Sequence, residues 1–172
     1  EKQKRGSLLW VLDKTRAAMG ARLLRTWIEQ PLIHKEEILE RQKAIEELNM
    51  NYISREELRE YLNPVYDLER LIGRISYKSA NPRDLLAFRN SIAMVPYMKQ
   101  LLQEFTCANL KALEEEMDPL EDLNDLISRA IAEEPPVTVR EGGIIRDGFH
   151  EEADRLRHAK TEGKTWLAEL EA

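Results

Sequence analysis

The sequence predicts a mainly α fold: a multi-helical bundle with a small β-hairpin and a long C-terminal helix. Three observations carry this expectation. Apolar residues recur three and four positions apart along most of the chain. Leu, Glu, Arg and Ala are abundant, against seven Gly and seven Pro in 172 residues, a balance that suits helices. Near the end, Phe149, Ala153, Leu156, Lys160, Gly163, Leu167 and Leu170 fall at alternating four- and three-residue steps. That is the spacing of a coiled-coil seam, with Lys160 and Gly163 as its weak positions.

The elements follow in order. Leu8, Leu9, Val11 and Leu12 make a short helix, and Asp13 and Thr15 offer side-chain oxygens to start the next. That second helix carries Met19, Leu23 and Trp27 on one face and stops before Pro31. A third spans 35–48, with Ile38, Leu39, Gln42, Ile45 and Leu48 as its stripe. Ser54 followed by Glu57 has the capping-box pattern and predicts a helix start there. The helical spacing continues from Leu58 to Ile75, with Pro64 placed to break or kink it. Asn81-Pro82-Arg83-Asp84 supplies an N-cap, a first-position proline and a first-turn acid. Pro96 then imposes a kink or a restart before Met98, Leu101, Leu102 and Phe105.

Residues 113–134 hold nine acids and one base, yet Leu120, Leu123, Leu126, Ile127, Ala130 and Ile131 keep a helical stripe. The acids therefore read as a solvated face. After Pro135-Pro136, Val137-Thr138-Val139 and Ile144-Ile145 flank Gly142-Gly143, which predicts the hairpin. The final helix reaches Ala172 with no Gly or Pro stop, and the chain opens on Glu1. Both ends read as cut, with the partner of the final helix outside the chain.

Composition excludes several classes. The net charge of −6 argues against a stand-alone domain that holds DNA by charge alone. It divides unevenly, +5 over residues 1–28 and −11 over residues 29–172. A DNA-facing patch near Lys2, Lys4, Arg5, Arg16, Arg22 and Arg25 is one reading. Pairing of these bases with acids elsewhere is preferred, because few aromatics interleave them. No apolar run suits a membrane span or a secretory signal. The single cysteine, Cys107, excludes an internal disulfide and a cysteine zinc site, and fits a reducing cytoplasm.

Catalytic motifs fail on inspection. Gly163-Lys164-Thr165 looks like the end of a P-loop, but His158 stands where its first Gly belongs and the segment reads as helix. His150-Glu151-Glu152-Ala153-Asp154 starts like a zincin motif, but Asp154 replaces the second His. His150 and His158 read as surface histidines, and His34 as an exposed or capping residue near a helix start. Cys107 has no adjacent base and reads as a buried or half-buried small residue. No catalytic, metal or cofactor-binding residue is assigned. The residues describe a mainly helical, non-catalytic module.

Several motifs together resemble the core domain of the MutS family of DNA mismatch-repair proteins. They are Gly6-Ser7-Leu8-Leu9-Trp10-Val11-Leu12-Asp13-Lys14-Thr15, then Met19 to Trp27, then Pro31-Leu32. Arg41-Gln42, Ala44 to Leu48, Asp67 to Leu71 with Arg74, Pro82-Arg83-Asp84-Leu85 and Pro96 follow in the same order. Pro135-Pro136, Gly142 to Ile145 and Asp154-x-x-Arg157 complete the series. Each piece is short; their joint order is specific. The sequence departs at Ala17, where the family often has Thr, and at His34, where it often has an acid or Ser.

The resemblance implies a helical core over 1–148 and the start of a lever helix over 149–172, leading toward a DNA clamp. It implies a module that couples mismatch and clamp binding to ATP-driven shape change. ATP and Mg would belong to the full-length protein, with none bound by this segment. The implied partners are the rest of the MutS chain, a second MutS copy, mismatched double-stranded DNA through other domains, and MutL, in the cytoplasm and with no membrane. Phe149, Ala153, Leu156, Gly163, Leu167 and Leu170 become the lever seam, and Lys2, Lys4 and Arg5 the candidate DNA contacts. The alternative is a helical interaction scaffold of another multidomain protein with no DNA role.

Overall fold

The structure, a computed structural model, describes residues 5–170, with side chains as far as Lys160. Among these residues lie ten α-helices and one 3-10 turn. Helix α1 (Leu8–Leu12) is capped by Ser7, whose side chain accepts from the Trp10 N–H at 3.2 Å. Helix α2 (Ala18–Glu29) begins later than Asp13 and Thr15 suggested. The Thr15 hydroxyl donates to the Asp13 carboxylate at 2.7 Å, so the two oxygens serve each other. Ala17 becomes the N-cap, with an extended backbone and no side-chain acceptor. Ala17→Thr is therefore expected to stabilise the fold by about 0.5–1 kcal/mol, measured as a raised urea midpoint at unchanged m.

Helix α3 (Lys35–Met50) has His34 as its N-cap, with no side-chain capping bond. Helix α4 (Tyr52–Leu62) overturns the capping box expected at Ser54, which lies inside the helix. The Ser54 hydroxyl donates instead to the Glu104 carboxylate at 2.7 Å. Pro64 falls in the break before α5 (Leu68–Ser76), which Asp67 caps by accepting from the Arg70 N–H. Helix α6 (Pro82–Ile92) starts as expected, with Asn81 as N-cap, Pro82 first and Asp84 in the first turn; Asp84 also closes a reciprocal box with Asn81. Pro96 marks a restart, lying in the first turn of α7 (Val95–Leu102). Helices α8 (Ala108–Glu116) and α9 (Glu121–Ala130) carry the acidic stretch, most of whose carboxylates are exposed.

The hairpin is absent. Val139–Glu141 forms a 3-10 turn closed by a capping box between Thr138 and Glu141. That box satisfies the local polar groups without a strand partner, and Val137 and Val139 stay exposed. Gly142 and Gly143 both have positive φ (77° and 70°) and lead the chain away. Ile145 then pairs with Ile131 at the end of α9, in a lone antiparallel bridge. The Ala132 N–H donates to the Ile144 carbonyl and the Arg146 N–H to the Ala130 carbonyl, both at 2.8 Å. The fold is thus helical throughout its described residues, with that one bridge in place of a sheet. The chain finishes in α10 (Glu151–Leu170).

Two apolar clusters hold the bundle. Leu71, Phe88 and Ile92 join α5 to α6, with Leu120 and Ile127 packed against them from the α9 side. Leu102, Phe105 and Leu110 join α7 to α8, with Ala44 and Leu48 of α3 alongside. Between them, the fully buried Ser91 donates to the Ala87 carbonyl and accepts from the Tyr66 N–H.

Glu47 hooks α3 onto the start of α8. Its carboxylate accepts from the Cys107 N–H at 2.8 Å, and from the Thr106 hydroxyl and N–H at 2.7 and 2.6 Å. These bonds, the Cys107 amide first, hold the Glu47 carboxyl at about 2, well below its ordinary 4.5. A carboxyl depressed by folding contributes stability above its unfolded value and loses it as pH falls through the folded one. The stability gap between the natural protein and Glu47→Gln is therefore expected to be largest above pH 5. It should close between about pH 4.5 and 2, as read from urea midpoints across pH.

Candidate functional site: the root of the C-terminal helix

Helix α10 leaves the bundle through a short connection that begins at the Ile131–Ile145 bridge. Gly148 takes a positive φ of 84° just before the helix. The Gly148 N–H donates to the Asp154 carboxylate at 2.9 Å, folding the connection against the first turn. His150 stands directly ahead of the helix, and its Nδ1 accepts from the Ala153 N–H at 3.3 Å. Glu151, Glu152 and Asp154 place negative charge at the positive end of the helix dipole.

Arg157 gathers these pieces. Its guanidinium donates to the Ile145 carbonyl at 2.8 Å and to Asp154 at 3.0 Å, and it also donates to Asp147. A planar five-donor group suits acceptors lying in different directions. The helix is thereby tied to Ile145, and through the bridge to Ile131, which is only 5% exposed. His150 and Arg157 escaped the search for site residues. The His150 ring accepts from a neighbouring backbone N–H and Arg157 donates to a backbone carbonyl across a loop, and backbone partners leave no residue-type pattern; only the Asp154-x-x-Arg157 pair is visible in the sequence.

The seam residues occupy mixed positions. Ala153 is half-buried, Phe149 is 38% exposed and Leu156 is 63% exposed. Lys160 is exposed. Gly163, Leu167 and Leu170 continue the helix, but their side chains lie outside the described residues. Of the candidate DNA contacts, Lys2 and Lys4 also lie outside them, and Arg5 is exposed. Further along the basic segment, Arg22 makes a two-pronged contact with Asp67, both bonds at 2.7 Å, and pairs with Glu69. Arg25 pairs with Glu29 at 2.8 Å. The Arg22 contacts lower the Asp67 carboxyl below its usual range and raise the guanidinium further. These ties join α2 to the start of α5.

Other chemistry is sparse. Among the described residues, no group of three or more His, Cys, Asp and Glu is arranged to hold a metal ion. No helix there is long and apolar enough to cross a membrane. Cys107 is half-buried, and burial pushes its thiol pKa up, away from a reactive thiolate.

Comparison with known proteins assigns this arrangement. A family model described as MutS domain III matches residues 1–171. The chain is 67% identical over 172 residues to the DNA mismatch repair protein MutS of Lachnoclostridium phytofermentans, covering all of this chain and 18% of that protein. It is 53% identical to the MutS protein of Ruminiclostridium cellulolyticum over 172 residues, and 50% identical to that of Acetivibrio thermocellus over 173. Both alignments cover the whole chain and 20% of the relative. The chain thus spans about a fifth of the length of these relatives. A match along essentially every residue sets aside the unrelated-scaffold reading and accounts for the missing catalytic motifs: the chain belongs to the MutS family and corresponds to its domain III, the core and lever region.

Proposed function

We propose that this domain is the mechanical core of a mismatch-repair MutS protein, transmitting motion between ATP-binding and DNA-binding parts of the longer chain. Residues 1–148 act as the body and residues 149–172 as the start of a lever leading toward the DNA clamp. The observation that carries this reading is the root of α10, where side-chain bonds tie a long helix to Ile145 and its neighbours, and a backbone bridge ties Ile145 to the end of α9. A packed helix behaves as a nearly rigid rod, and the 20 residues of α10 span about 30 Å. A small rotation at the root becomes a larger displacement at the far end.

ATP and Mg act in the full-length protein, at residues outside this domain. Mismatched DNA is contacted mainly by other domains, and Lys2, Lys4 and Arg5 are the candidates here for backbone contact. The working assembly is a MutS homodimer that recruits MutL in the cytoplasm. The names of the relatives, each a DNA mismatch repair protein, support the mismatch-repair setting; the other roles rest on the family resemblance.

The seam supplies the test. Leu156 presents an apolar side chain that is 63% exposed, and we assign Phe149, Ala153, Leu156, Gly163, Leu167 and Leu170 to the face that packs on the partner of the lever. Leu156→Lys in the full-length protein is expected to leave mismatch binding intact and weaken ATP-driven clamp closure. The drop should be about tenfold, within the usual range of coupling between distant sites. Crosslinking across the clamp, with and without ATP, reads the closure. An unchanged ATP response in a stable variant would remove the seam from the transmission path.

A further inference from the structure

We propose that Arg157 is the positioning residue that fixes the direction of α10 relative to the core, through a second point of attachment. This inference deepens the coupling role proposed above and rests on it for its functional consequence; its structural part does not.

The connection itself is poorly suited to hold a direction. Between the bridged Ile145 and α10 it contains Gly148, at positive φ. Beyond its chain neighbours, no atom lies within 4 Å of where a Cβ would stand there. The backbone there is neither wedged by neighbours nor restricted by side chains. The bond from the Gly148 N–H to Asp154 fastens the helix near its first turn. The Phe149 N–H donates to the Arg146 carbonyl at 3.3 Å beside it, and attachments confined to the start of a rod leave it free to pivot.

Arg157 lies about 4.5 Å along the axis beyond Asp154, at ~1.5 Å per residue. From there it reaches back past Gly148 to the Ile145 carbonyl at 2.8 Å. Asp154 and Asp147 hold the plane of the same guanidinium. Ile145 is anchored in turn, since its bridge to Ile131 is flanked by two backbone bonds of 2.8 Å. Two attachments separated along the axis fix a direction, and the path runs from α9 through Ile131, Ile145 and Arg157 into α10. A lysine keeps the charge but lacks the rigid fork needed to bond acceptors in three directions. Arg157→Lys should therefore loosen the joint even though the charge is conserved.

The test uses the full-length protein with Cys107→Ser, other cysteines removed, and spin labels at Asp122→Cys on α9 and Lys160→Cys on α10. Both sites are exposed. Arg157→Lys and Arg157→Ala are expected to broaden the label-to-label distance distribution measured by pulsed electron resonance, at an unchanged melting temperature. Asp147→Asn removes one carboxylate from a side chain that is 87% exposed, so it carries little folding risk, and should broaden the distribution less. ATP-triggered release from mismatched DNA is expected to fall about tenfold in the two Arg157 variants. Distributions as narrow as the parent's would overturn the positioning assignment. Broadened distributions with an unchanged ATP response would keep Arg157 as the positioning residue and overturn the coupling role. If Arg157→Ala does not fold, Arg157→Lys and Asp147→Asn decide between these outcomes.

Discussion

Phe105→Ala is expected to destabilise the domain by about 3–5 kcal/mol, the usual range for emptying a fully packed aromatic site. The Phe105 side chain is 0% exposed. It sits just beyond the end of α7, between Leu102 and Leu110, with Ala44 and Leu48 of α3 and Met117 closing the cluster. Its own N–H donates to the Leu102 carbonyl at 3.2 Å, which turns the chain so that the ring points inward. Truncation would therefore remove the shared contact of three helices at once. A domain of this size typically has 5–15 kcal/mol of stability in total, so much of it would be lost. Thermal unfolding should show a midpoint lower by roughly 10 °C or more. Phe105→Leu refills most of the volume and should recover more than half of the loss. If Phe105→Ala melted within about 2 °C of the parent, the cluster would not be the core of this half of the bundle.

Asp84→Ala is expected to cost about 2–3 kcal/mol, because one carboxylate serves two purposes. Asp84 is 8% exposed, and its oxygen accepts from the Asn81 N–H at 2.8 Å, completing the capping box of α6. The same oxygen accepts from Arg74 at 2.8 Å, which ties the last turn of α5 to the first turn of α6. Alanine keeps the Asn81 cap on the residue-84 N–H but leaves the partly buried Asn81 N–H and Arg74 without this carboxylate. Asp84→Asn keeps an acceptor for the Asn81 N–H but lowers the charge, so it should lose about half as much. Urea unfolding of the parent and the two variants orders them. Equal losses in both would mean that the charge on Asp84, and not its capping bond, carries the whole effect.

These two residues also mark what a reader of the sequence could see. The Asn81–Asp84 start was legible because a capping box is closed within one turn, by residues three apart. Pro64 and Pro96 were legible as interruptions for an equally local reason, since proline cannot donate a backbone bond. Ser54 shows where such reasoning fails. It stands in the right pattern, but α4 starts two residues before it, at Tyr52, and leaves the Ser54 hydroxyl to donate to Glu104 across the bundle. The Gly142-Gly143 pair failed similarly. The glycines do take turn geometry, while Ile145 prefers the buried Ile131 to the exposed valines it was expected to face. The seam spacing marked the final helix, yet nothing in that spacing showed the bond from Arg157 to the Ile145 carbonyl at its root. Glu47 lies in a family motif, but nothing in the motif shows its role, since its partners at Thr106 and Cys107 are about sixty residues away.

Family membership and most of the succession of helices were determined by the sequence alone, α8 and its separation from α9 excepted. Periodicity, caps and prolines act over a few residues, and the order of short motifs survives without knowledge of what they touch. Only the tertiary structure decided which helices share a core, which acceptor Ser54 serves, and how α10 is fastened. Each of those choices is a competition among partners distant in the chain. It is settled by which polar groups packing brings within bonding distance and which apolar surfaces it removes from water.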